Sequence, residues 1–175
     1  MNIRWIVLGL LMALLSAGCS NEQTNDDTPS PEVEIKQLVN DYTVRNAVAA
    51  SASITSSELI VTDENKQVTT YDLPEDEFFV SIAPFVTSTH PCDIHSLTGC
   101  QGELVEEEFT VHIKDSQGHV VVDEIKKTEA NGFIDLWLPR DETFTVTISQ
   151  DDKKSVSDIT TFDGDNTCIT TMQLQ

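Results

Sequence analysis

FTVHIKDSQGHVVVDEIKKTEANGFIDLWLPRDETFTVTISQ, residues 109–150, decides the fold class. Phe109, Val111 and Ile113 fall on one face of an extended segment, and Thr110, His112 and Lys114 fall on the other. Strict alternation of this kind marks a half-buried strand. Ser116-Gln117-Gly118 is a turn, and Val120 to Ile125 reads as a second strand. Asn131-Gly132 turns the chain again into a third strand, Phe133 to Leu138. The apolar run FIDLWL makes this third strand a candidate for the centre of a sheet. Pro139-Arg140-Asp141 is the next turn, after which Phe144, Val146 and Ile148 alternate inward. Two further strands follow, around Val156 to Phe162 and Cys168 to Leu174. Short strands with regular turn signals predict a small antiparallel β-sandwich.

Upstream the pattern changes. Ser30-Pro31 has the form of an N-cap followed by proline at the first helical position. Ile35, Leu38, Val39 and Tyr42 recur at helical spacing and predict an amphipathic helix over residues 32–44. Leu59-Ile60-Val61 and Val68 to Tyr71 flank the turn-like DENK and read as a hairpin. Phe78, Val80 and Ile82 alternate with Phe79 and Ser81 in a buried strand that ends at Pro84. Residues 47–57 carry no decisive periodicity. The expected class is α+β, mainly β, with a short helical and hairpin N-terminal lobe (32–89) ahead of a C-terminal β domain (90–175).

The first residues address the chain. Arg4 precedes the apolar run Ile6 to Leu15, which has the length of a signal-peptide core and is short for a membrane span. Ser16-Ala17-Gly18-Cys19 then resembles the lipobox of bacterial lipoproteins, with Ser16 where leucine is usual. The expectation is a leader over residues 1–18, lipidation at Cys19, and a flexible tether over residues 19–31. Two or three acyl chains would anchor the chain stably, at about 0.8 kcal/mol per buried CH₂. The expected location is the cell envelope, facing the periplasm or the cell surface, with the membrane met only through the lipid.

The whole chain has 10 Lys+Arg against 30 Asp+Glu, a net charge of −20. Such a surface repels nucleic acid and anionic lipid and concentrates cations. Most of these carboxylates read as solvated. No nucleophile elbow or acid–base pair is present, and no enzyme is expected beyond chemistry at its thiols.

Cysteine arithmetic is more informative. With Cys19 assigned to lipid, Cys92, Cys100 and Cys168 remain, and an odd number cannot all pair within one chain. Residues 90–104, HPCDIHSLTGCQGEL, place His90, Cys92, His95 and Cys100 in a loop bent by Pro91 and Gly99. Cys168 shares parity with Thr170, Met172 and Leu174 and should face the packed side or its rim. If the last strand returns beside the first element, Cys168 meets the loop. Three thiolates suit trigonal Cu(I), and three thiolates with one imidazole also make a closed zinc site. The C-x₇-C spacing lacks the usual zinc knuckles and favours copper. His95 lies between two cysteines; His90 is the weaker ligand candidate. The competing reading is a structural or thiol-redox lipoprotein with one disulfide and no metal.

The stretches HPCDIHSLTGCQGEL, NGFIDLWLPRD (131–141), TCITTMQL (167–174) and VSIAPFV (80–86) resemble the CueP family of bacterial periplasmic copper-binding proteins. The resemblance implies a role in copper resistance and in passing copper to envelope cuproenzymes, including copper–zinc superoxide dismutase. It also implies Cys92, Cys100 and Cys168 as metal ligands with His95 as the imidazole, and an N-terminal domain that takes part in homodimer formation. Family members are often soluble, whereas a lipid anchor would favour sequestration at a membrane surface.

Overall fold

The computed structural model describes residues 30–175; the leader, Cys19 and the tether as far as residue 29 lie outside the described residues. Among the described residues the fold is mainly β with one helix. The N-terminal elements are α1 (Pro31–Thr43), β1 (Ser51–Ile54), β2 (Glu58–Thr62), β3 (Val68–Asp72) and β4 (Glu77–Ile82). The two-residue β5 (His95–Ser96) sits in the cysteine loop. Then come β6 (Glu108–Asp115), β7 (Val120–Lys127), β8 (Ile134–Pro139), β9 (Thr143–Gln150), β10 (Lys153–Thr160) and the two-residue β11 (Cys168–Ile169). Among the described residues no helix is long and apolar enough to cross a membrane.

α1 begins as the sequence predicts. Ser30 Oγ accepts from the Val33 N–H at 3.3 Å, Pro31 occupies the first turn, and Glu32 and Glu34 lie at the positive end of the helix dipole. Its buried apolar residues, Ile35, Val39 and Tyr42, are three of those that set the helical spacing.

Three sheets result, ordered β3-β2-β1-β5, β10-β9-β6-β7 and β11-β4-β8. The last lies between the other two. Phe78, Val80 and Ile82 of β4, with Ile134, Leu136 and Leu138 of β8, pack against Phe109, Val111, Ile113, Phe144, Val146 and Ile148. Phe79 of β4 packs the opposite way, with Trp137 of β8 against it, into the cluster formed by α1, β1 and β2. A strand buried on both faces has no polar side to show, which is why EFFVSI is almost continuously apolar. β4 is therefore the central strand of its sheet. β8, the expected central strand, is instead an edge, because the chain end returns to β4 and leaves the far side of FIDLWL without a partner strand.

Two of the three sheets draw strands from both sides of residue 90. β4 pairs with β8 from Glu77↔Pro139 to Ile82↔Ile134, and β5 pairs with β1 through Ser53↔Ser96 and Ile54↔His95. β1 is the strand that residues 47–57 conceal. β11 runs parallel to β4, with Cys168 opposite Ser81 and Ile169 opposite Ile82. Regular strand structure stops after Ile169, and pairing resumes only as an isolated bridge from Phe85 to Gln173. Cys168, Thr170, Met172 and Leu174 are all buried. Met172 and Leu174 nevertheless join the large C-terminal cluster, while Cys168 joins Ala83 and Phe133. The interruption resets the alternation between them.

Candidate metal centre

The loop from residue 86 to residue 104 is held at both ends. The Glu103 carboxylate accepts the N–H groups of Val86, Thr87 and Ser88, at 2.7, 2.9 and 3.3 Å. These bonds, those of Thr87 and Val86 first, hold the Glu103 carboxyl below its ordinary pKa. Farther along, the Gly102 N–H donates to Asn131 O at 2.7 Å, and Gly102 lies flat against Gly132. A Cβ on Gly102 would sit 2.5 Å from Gly132 O, so that close approach requires glycine. Gly132 also has φ +78°, in the left-handed region of the NG turn.

Within these ties each cysteine has its own anchor. Cys100 closes a tight turn: its N–H donates to Ser96 O at 2.9 Å, and its sulfur accepts from the Ser96 N–H at 3.3 Å. Cys168 is placed by β4, with its own N–H donating to Asp93 O at 3.2 Å. Asp93 O also accepts from the Thr167 N–H, so one loop carbonyl fastens the start of β11. Cys92 lies near the mouth and Cys168 is buried.

The three sulfurs converge. All lie within 4.8 Å of one another, with Cys92 Sγ and Cys100 Sγ at 3.4 Å. All three are free thiols. A separation of 3.4 Å is contact without a bond, since a disulfide needs about 2.05 Å. Each thiol titrates differently for a physical reason. Cys100 is pushed well below the ordinary thiol range, chiefly because the Cys168 thiol donates to it. Burial opposes this, while the His95 ring and the Ser96 N–H assist it. Cys168 is pushed up, by its bond to Cys100 and by burial. Burial pushes Cys92 up as well. Cys100 is thus the sulfur disposed to carry the negative charge, with the Cys168 thiol directed at it and Cys92 in contact while its own thiol reaches Ile94 O at 3.5 Å, a donor set suited to a soft cation.

His95 is fully buried under this cluster. Its backbone N–H donates to Thr167 Oγ1 at 3.0 Å, and its ring lies 4.6 Å from Phe133 and 6.2 Å from Phe79, centroid to centroid. Nε2 is 3.3 Å from Ser81 Oγ, whereas Nδ1 is buried without a hydrogen-bond partner. The sulfur group closes within 4.8 Å without His95, whose orphaned buried nitrogen, on the side of Cys100, fits a site built to receive a metal ion. His90 is placed differently. Its Nε2 faces Gln101 O at 3.1 Å and its Nδ1 faces Pro91 O at 3.3 Å. Both ring nitrogens are directed at carbonyls, and the residue stands outside the sulfur cluster.

Two residues at the site were passed over in the sequence. Ser81 Oγ donates to Asp135 Oδ1, and Asp135 Oδ2 accepts from Thr43 Oγ1 at 2.8 Å. A signal existed: an aspartate inside FIDLWL and a serine inside EFFVSI are polar groups in segments that are otherwise buried, and such groups need partners.

The family model described as periplasmic copper-binding protein CueP matches residues 34–173. A crystal structure of S.CueP is 39% identical in sequence, with a TM-score of 0.75, over 81% of this chain and 88% of that one. No curated protein matches.

Proposed function

The chain belongs to the CueP family of periplasmic copper-binding proteins, and from that premise we propose that Cys92, Cys100 and Cys168 hold a single copper ion as Cu(I), with His95 supplying an imidazole at the buried side. The observation that carries this reading is the convergence of the three sulfurs within 4.8 Å from a loop and a distant strand. Three soft donors in a small, partly enclosed space select Cu(I) over the harder divalent ions, with Zn(II) as the competitor. In this reading the protein lowers free copper in the envelope and so supports copper tolerance. It hands its cargo to an envelope cuproenzyme, with a superoxide dismutase as one such client. Lipidation at Cys19 would confine that exchange to a membrane surface.

The test is a Cu(I) competition titration against a chromogenic chelator. It uses the reduced chain lacking only residues 1–20, which keeps every described residue, alongside Cys92→Ser, Cys100→Ser and Cys168→Ser. The expected result is one tightly held Cu(I) per chain, weakened by each substitution. Binding that ignores all three substitutions sinks the reading.

A second activity is favoured by the 3.4 Å contact between Cys92 and Cys100. Two Cu(II) ions each accept one electron, a sulfur–sulfur bond forms between the Cys92 thiol and the Cys100 thiolate, and the one proton of Cys92 leaves to solvent. Cys168 remains reduced. Mass spectrometry of the Cu(II)-treated chain should find the 92–100 disulfide; a 100–168 pair instead would refute the assignment. The metal-free alternative, a structural or thiol-redox lipoprotein, predicts that cysteine substitutions alter stability and leave copper binding absent throughout.

A further inference from the structure

A line of polar side chains runs through the N-terminal face of the middle sheet, from α1 to the thiols. Thr43 at the end of α1 donates to Asp135 Oδ2, Ser81 donates to Asp135 Oδ1, and His95 Nε2 meets Ser81 Oγ. Cys168, Ser81 and Asp135 occupy one row across β11, β4 and β8. Thr43, Ser81 and His95 are all buried, in a part of the molecule otherwise built from Phe79, Trp137 and Leu97.

Counting donors fixes the direction of this line. An ionised carboxylate only accepts. Ser81 has one hydroxyl hydrogen and gives it to Asp135. Toward His95 the Ser81 oxygen has only lone pairs left. Two facing lone pairs repel, so Nε2 must carry the hydrogen. The other nitrogen, Nδ1, is buried and has no partner. Cys100 lies close enough to the ring for the imidazole to favour its thiolate. With Phe133 and Phe79 against the ring, the imidazole has little room to turn over. This ordering holds whether Nδ1 is protonated or bare, because Nε2 carries its hydrogen in either case.

We propose that Asp135, acting through Ser81, is a positioning residue of the metal centre: it keeps the hydrogen on His95 Nε2 and thereby presents Nδ1 to Cys100 and to an ion bound there. The inference rests on the copper reading above. Carboxylates that orient a ligating histidine through its second nitrogen are a general device, and their loss typically weakens metal binding 10–100-fold. Here the carboxylate works through an interposed hydroxyl. Thr43 secures the second carboxylate oxygen, so α1 holds Asp135 in place from the other side.

The test joins two readouts on the reduced chain lacking residues 1–20. ¹⁵N NMR of the metal-free protein reports which His95 nitrogen carries hydrogen, and Cu(I) competition reports affinity. The variants are Ser81→Ala, the smaller change, and Asp135→Asn. Expected are a protonated Nε2 in the wild type, a shift toward Nδ1–H in both variants, and Cu(I) affinity lower by about 10–100-fold. An unchanged Nε2–H in both variants overturns the proposal, and so does a loss of affinity without any change of tautomer, which would mark a purely structural role. A wild-type chain that binds no Cu(I) refutes the copper reading instead. The tautomer measured without metal still decides whether Asp135 orients the ring.

Discussion

The two faces of the middle sheet are built from the same strands and do different work. The face toward β6 and β9 is wholly apolar: Phe78, Val80 and Ile82 of β4, and Ile134, Leu136 and Leu138 of β8. The face toward α1 and β1 alternates large aromatics with polar groups: Phe79, Trp137, Ser81 and Asp135. Residues on the first face can be exchanged for other apolar side chains as long as volume is kept. Residues on the second are tied one to another by directed hydrogen bonds, and each fixes the next. The first face supplies stability without direction; the second spends burial on orientation, which a metal ligand needs.

Substitutions should separate these faces. The largest effect expected is on the apolar one. Phe78→Ala removes a fully buried ring and should cost about 3–5 kcal/mol in chemical denaturation. The copper affinity of the chain that remains folded should be nearly unchanged, and a parallel loss of affinity would show that the faces are not independent. Cys168→Ser, on the opposite face, should reverse the pattern. Its effect on unfolding should be small, while Cu(I) affinity falls by at least about 100-fold, beyond the usual effect of an outer partner. Gly102→Ala tests the clamp between the loop and the NG turn. The added methyl meets Gly132 O at 2.5 Å, and the overpacking should cost about 1–3 kcal/mol with a fall in copper affinity. Ser30→Ala, at the far end of α1, should remove only the N-cap, for about 1 kcal/mol, and leave copper binding intact.

Proton release sharpens the picture of the second face. Cys100 is held down and Cys92 and Cys168 are held up, so near neutral pH the first is a thiolate and the others are thiols. Binding Cu(I) to three thiolates should therefore release about two protons, and affinity should rise with pH. Calorimetry in buffers of different ionisation enthalpy measures this number directly. A count near zero would mean that the two raised thiols do not bind as thiolates.

The sequence made the apolar face legible and left the other half hidden. Alternation over Phe109–Ile113 and Phe144–Ile148 and the helical spacing in α1 report local burial, the hairpin around DENK is marked by its turn because β3 is wholly exposed, and each element lies where its pattern places it. β1 was concealed because SASI mixes small residues with too little contrast between its faces. FIDLWL was placed at a sheet centre because an apolar run shows burial on both sides but does not name its partner strands. The parallel pairing of β11 with β4 joins residues 87 apart, Ser81 to Cys168, and no local pattern encodes such a return. The three cysteines were readable because few roles suit an odd set of thiols in an exported chain. Asp135 and Ser81 were not, because their meaning appears only when β4 and β8 set them side by side.

The span between Cys100 and Cys168 encloses β6 through β10. An ion held by both sulfurs closes that span into a ring. Like a disulfide across a long loop, it removes conformations from the unfolded chain, yet it can be withdrawn by a competing ligand without any redox step. Loading with copper then becomes a mechanical state of the whole C-terminal sheet. An empty chain would be free of that closure and could release its last strand. The loaded one cannot do so without first surrendering the ion, so an envelope protease that attacks the opened chain would cut the two forms at different rates.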